Sequence, residues 1–177
     1  MSKNNPDDLP PIKGTQLPRL HFDFTKLGDF LFYEAPLLSH LVNQHDEDFL
    51  MQWCGNDATY QRWLLYKTSY HLLYQYFKGN LTDLDLLRNN PDGFAYIVDI
   101  DRNGEWQRVF VVAVEDIPME YLPNGEITYD PGDFQPYTEE LHCYLELHFS
   151  RQRKLYKKPE STVALAAEPP SPEYRKH

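Results

Sequence analysis

The pair Asn103 and Gly104 stands between two runs rich in apolar and β-branched residues, 94–100 and 106–114, and constrains the chain more than any other feature. Asn-Gly supplies the positive φ angles of a tight turn, so the two runs are expected to pair as an antiparallel hairpin. The second run ends in six consecutive apolar residues, 109–114, which reads as a strand buried on both faces. A hairpin of this kind needs further strands or a helix against its apolar face before it is stable.

The preceding sequence offers them. Leu20, Phe22 and Phe24 alternate with His21 and Asp23, the period-2 signature of a half-buried strand. Residues 30–33 and 37–42 flank Pro36, which cannot donate to a ladder, so they form one edge strand broken at Pro36 or two short strands. Residues 49–54 and 60–66 follow, punctuated by Gly55, Asn56 and Asp57, and turn signals at this spacing suggest an antiparallel meander. The period then changes. Ser69 is placed to cap a helix whose Leu72, Leu73, Tyr76 and Phe77 share one face, with Gly79 and Asn80 as its stop. Thr82 is placed to cap a shorter helix bearing Leu84, Leu86 and Leu87, ending near Asn89. After Asp116 the chain is turn-rich, and Leu141, Cys143, Leu145, Leu147 and Phe149 recur at every second position, which favours a last strand over a helix for 139–149. The expected architecture is α+β: an antiparallel sheet of about five or six strands with a short helical pair on one face.

Charge and proline mark the borders of that domain. From Arg151 onward seven Lys/Arg meet three acids, a net +4 against −10 for the whole chain, among Pro159, Pro169, Pro170 and Pro172. Residues 150–177 therefore read as a basic, Pro-rich, disordered tail, and residues 1–19, with four prolines, as a disordered arm. The folded part is expected to be 20–149. An aromatic content of 15% is too high for a wholly disordered chain. The longest apolar run falls far short of the roughly 20 residues of a membrane helix, and the N-terminal stretch has no apolar core for a signal peptide. Two cysteines, Cys54 and Cys143, give neither a disulfide framework nor zinc spacing, and a reducing cytoplasm suits them.

Several sets of residues carry possible chemistry. On a strand, Glu140, His142, Tyr144, Glu146 and His148 would share one face about 7 Å apart, so His142, Glu146 and His148 form a candidate zinc grip; the same alternation also describes a plain solvent-facing side. Asp83 with Asp85, and Asp99 with Asp101, are paired carboxylates, but the second pair runs into Asn103–Gly104, where Asp commonly shapes turns. There is no nucleophile elbow, zincin motif, dinucleotide fingerprint or P-loop. Seven Tyr and Trp crowd 53–76, more than one core face easily hides, and Trp53, Trp63 and Tyr66 are taken as candidates for a protein interface. Between Arg108 and Arg151 lie nine acids and no Lys or Arg, a field that repels phosphate backbones and attracts basic surfaces, or simply a solvated acidic face. Glu115, Asp116 and Glu120 head this region.

In order along the chain, residues 32–38 (Phe, Tyr, Glu, Ala, Pro, Leu, Leu), then Trp63 to Leu65, then 91–99 and then 117–123 resemble a family of small bacterial domains of unknown function. Its members begin with a Tyr-acid-x-Pro-Leu-Leu strand, followed by a Trp-Leu strand, a Leu-rich helical pair and a C-terminal hairpin. The resemblance covers about 29–123 and implies a bacterial, cytoplasmic α+β domain; it brings no catalytic or ligand residues. The expectation is a non-enzymatic protein-interaction module, accessory or immunity/antitoxin-like, with no cofactor, no membrane contact and no direct nucleic-acid binding, whose partner is a protein with a basic surface. An acidic DNA mimic or regulator of a nucleic-acid-handling protein is one alternative, and a metal-dependent enzyme using His142, Glu146 and His148 is the other.

Overall fold

The computed structural model describes residues 9, 11–20, 22–130 and 136–156. Its centre is one antiparallel sheet of seven strands, β1 (Thr15–Leu17), β2 (Phe24–Tyr33), β3 (Ala35–Asn43), β4 (Asp48–Asn56), β5 (Tyr60–Lys67), β6 (Phe94–Asp101) and β7 (Trp106–Ala113). Their order across the sheet is β1-β7-β6-β5-β4-β3-β2. The α+β class is as expected, with seven strands in place of five or six. The extra strand comes from the stretch expected to be a disordered arm: Thr15 to Leu17 pair with Val111 to Val109. The strand expected at 20–24 starts only at Phe24 and runs on to Tyr33. Pro36 lies near the start of β3, two residues before β3 begins to pair with β4 at Leu38, so its missing N–H interrupts no ladder there.

The expected hairpin of β6 and β7 forms, with Gly104 at φ 83° and Asp101 Oδ1 accepting from the backbone of Asn103 and Glu105. Helices α1 (Tyr70–Phe77) and α2 (Asp83–Arg88) lie where the spacing predicts them. Ser69 caps α1 by accepting from Leu72 N–H, and Thr82 and Asp85 form a reciprocal capping box on α2.

Residues 139–149 are not a strand. They lie within α3 (Pro136–Tyr156), which also takes in the first residues of the expected tail; residues 157–177 are outside the described ones. The apolar set satisfies both periods, and packing selects between them. Leu141, Leu145 and Phe149, spaced by four, pack on the main core, whereas Leu147 is 61% exposed and Cys143 faces solvent. Helix α3 docks on edge strand β2, where a Cβ at Gly28 would collide with the Tyr137 ring. Behind it, fully buried His40 sits between Tyr137 Oη at 2.6 Å and Asp48 Oδ1 at 2.8 Å.

The alternation of each strand splits the core in two. Leu38, Leu50, Leu64, Tyr66, Ala95, Ile97 and Val112 point to the face covered by the three helices. Leu41, Phe49, Leu65, Val98 and Val109 point to the other. That second face is closed by curvature. Six strand spacings of about 4.8 Å separate β1 from β2, about 29 Å in a flat sheet. The seven residue steps from Leu17 to Phe24 reach at most about 25 Å. The two edges therefore curl toward each other, and Phe24 of β2 stacks on Trp106 of β7 at 6.0 Å.

Candidate functional site

The helix-covered face carries two buried carboxylates, and they differ in what surrounds them. The first belongs to a row of directly opposed residues, Gly55, Arg62, Asp99 and Arg108, on β4, β5, β6 and β7. Asp99, 0% exposed, accepts from Arg62 Nε at 2.7 Å and Nη2 at 2.9 Å, and pairs with Arg108 Nη2 at 2.7 Å. Arg62 Nη1 donates to Tyr121 Oη at 2.7 Å, and the Arg108 guanidinium lies 4.5 Å above the Tyr60 ring. Sequence reasoning assigned Asp99 to the hairpin turn together with Asp101. Only Asp101 serves it; Asp99, two residues earlier on the core side, is neutralised by two arginines.

The second carboxylate is Asp83, at the start of α2 and 3% exposed. Its Oδ1 accepts one hydrogen bond, from Tyr76 Oη at 2.8 Å, and no cation pairs with it among the described residues. Burial pushes its carboxyl above the ordinary carboxylate range, and the Tyr76 bond offsets this only in part. Asp85, its partner in the sequence reading, is occupied by the capping box. Asp83 lines a cavity of about 350 Å³ together with Leu31, Leu37, Gln52, Trp53, Cys54 and residues 120–124 and 127. The walls are held from several elements. Asp83 N–H donates to Ile127 C=O, and Thr82 bridges to Thr128, fixing the loop after Tyr121 to the start of α2. Gln52 Oε1 accepts from Tyr66 Oη at 3.1 Å, and Tyr121 is anchored by Arg62.

The sequence candidates distribute unevenly around this cavity. Trp53, 40% exposed, and Glu120, on a short 3-10 turn (Met119–Tyr121), both line it, beside an 83% exposed Met119. Glu115 and Asp116 are exposed on the preceding 3-10 turn (Val114–Asp116). Trp63 and Tyr66 are not surface residues: both are buried, Trp63 opposite Trp53 on the curled face and Tyr66 in the helix-side core. Of the crowded aromatics, Tyr74 and Tyr76 are core as well. They are absorbed because both faces of the sheet bury rings, Trp63 on the curled face and Tyr66, Tyr74 and Tyr76 in the helix-side core.

The proposed zinc grip loses its geometry with the strand. On α3, His142 and Glu146 are one turn apart, with Nε2 to Oε1 at 3.6 Å, while Glu146 also pairs with Lys78 and accepts from Tyr74. His148 points elsewhere, stacking on Tyr144 and meeting Tyr70 edge-on. Among the described residues no three His, Cys, Asp or Glu side chains come together to hold a metal ion. Cys54, on the cavity wall, is pushed up to about 12 by burial, so its thiol stays protonated and is no nucleophile near neutral pH. Among the described residues no helix is long and apolar enough to cross a membrane. No family model, no curated protein and no solved structure matches the chain, so its functional reading rests on this geometry.

Proposed function

We propose that the chain is a protein-interaction module of the bacterial cytoplasm, accessory or immunity-like, that docks a basic surface of another protein over the Asp83 cavity. The observation that carries this reading is a concavity whose lining includes the partly exposed apolar residues Trp53 and Ile127 and the acidic Glu120, next in the chain to an 83% exposed Met119. Interface centres favour Trp and Met in well-formed hollows, with charge at the rim. The loop supplying that rim opens a segment of nine acids without a Lys or Arg, so a basic partner is favoured both in approach and in register. Catalysis has little to work with here, since the cavity's thiol is protonated and His40 is sealed in the core.

The test compares capture from the native host by the natural chain and by a Trp53→Ala/Glu120→Lys variant of unchanged fold. The expected result is one stoichiometric basic protein, released by moderate salt and absent from the variant. Equal capture by both chains would refute the assignment of the surface. Capture of a nucleic-acid-handling protein whose DNA site is thereby blocked would turn the reading toward DNA mimicry.

A further inference from the structure

Asp83 is costly where it stands. A carboxylate 97% removed from solvent usually has a cation or several donors around it, and this one has a single phenol. The residue lines the cavity that Trp53 and Glu120 also line. The other walls are largely aliphatic, from Leu31, Leu37, Leu122, Pro123 and Ile127. An apolar shaft with an unneutralised acid on its wall and a second acid, Glu120, in its lining is complementary to an apolar chain that ends in a positive charge.

We infer that this cavity is a receptor for a primary alkylammonium group, namely a lysine side chain presented by the basic partner. The inference rests on the docking reading above and adds what the pocket itself recognises. Lysine is favoured over arginine by the state of the carboxylate. Tyr76 already takes one lone pair of Oδ1, so a planar guanidinium seeking both oxygens would share that one with the phenol, whereas a compact ammonium needs one oxygen. Gln52 Oε1, which takes one hydrogen bond from Tyr66, keeps a lone pair for a second donor. The four methylenes of the lysine stem would lie along the leucine and proline walls, and its charge would neutralise Asp83 as Arg62 and Arg108 neutralise Asp99.

The probe is n-butylammonium chloride, titrated into the full chain and followed by the amide resonances of Gln52, Asp83 and Ile127, with 1-butanol as the uncharged control. Saturable shifts at those residues with butylammonium and not with butanol are expected. Asp83→Asn, which keeps the acceptor for Tyr76, should weaken butylammonium at least about tenfold while unfolding stays cooperative. Acidifying the natural chain should abolish binding as the raised Asp83 carboxyl takes up its proton, without any mutation. Shifts that persist in the folded Asn variant, or an equal response to butanol, would overturn the inference. Partner capture distinguishes the two readings. Capture lost in Trp53→Ala but retained in Asp83→Asn removes the lysine pocket and leaves docking intact. Asp83-dependent butylammonium binding without any captured protein keeps the amine site and removes docking.

Discussion

Asp99 and Asp83 are both buried carboxylates on the same face of the same sheet, and they occupy opposite electrostatic situations. Asp99 sits in the middle of a strand row with a guanidinium on each side, every contact made by residues fixed in the ladder. Asp83 sits where a six-residue helix begins, at a cavity wall, with one neutral donor. The first has its opposite charge supplied by the fold; the second has none among the described residues. Burial alone distinguishes nothing between them. What separates the two is whether the protein itself supplies the opposite charge.

That contrast can be broken from the Asp99 side with the largest effect. Asp99→Asn leaves two guanidiniums facing a neutral amide, and removal of one partner from a buried pair costs about 3–5 kcal/mol. Urea denaturation should show it as a lower midpoint with unchanged slope; a loss below about 1 kcal/mol would mean that water already dissolves the network. Tyr121 touches both regions, accepting from Arg62 and lining the cavity. Tyr121→Phe removes an acceptor from a charged donor, an expected loss of about 1.5–3 kcal/mol by the same measurement. Thr82→Ala dismantles the capping box that starts α2 and sets the position of Asp83, for about 1 kcal/mol. A much larger loss would show that the Thr82–Thr128 bridge carries more than the cap.

The smallest change, and the sharpest, is Asp83→Asn. Because burial raises the folded carboxyl above its unfolded value, the folded chain holds this proton more tightly. The stability this confers is present below the unfolded pKa and is lost as pH rises through the folded one. Above the folded pKa the natural chain bears an ionised Asp83 with no cation beside it among the described residues, and there the Asn variant should be at least as stable; at acid pH the two should converge. Thermal melts of both proteins across pH 3–7.5 would check this, and an Asn variant that is less stable above that pKa would contradict it.

Much of the fold was legible because its signals were local. Asn103 and Gly104 marked the hairpin, and Ser69 and Thr82 marked both short helices. Helix α3 was misread because Leu141, Leu145 and Phe149 fit a period of four as well as of two; only the outward positions of Cys143 and Leu147 decide, and those depend on what the segment docks against. Strand β1 was missed for a similar reason, as three residues carry no periodicity and their partner lies at the far edge of the sheet. The charge row was legible in principle. Arg62 stands in phase with Leu64 and Tyr66, and Asp99 in phase with Ala95 and Ile97, so each is a charge at a core-facing position of a strand. Two such anomalies of opposite sign on neighbouring strands are a signal for a buried pair. The Asp83 cavity had no equivalent, because its walls come from strands, a helix start and a loop that only the tertiary fold brings together. The acidic loop was visible, but the sequence could not separate exposed Trp53 from buried Trp63 and Tyr66.

The placement of β1 also bears on the order in which the chain assembles. From β2 to β5, and again from β6 to β7, each strand pairs with its successor, so these contacts close short loops; β1 alone must wait for the opposite edge of the sheet to exist. It is expected to zip last and open first, with the amides of Thr15 to Leu17 exchanging with deuterium well before those of Ile97. Until it arrives, the backbone of Val109, Phe110 and Val111 is an unpaired apolar edge, the kind of template on which another chain can add a strand. Three residues near the N-terminus thus serve as a guard against self-association.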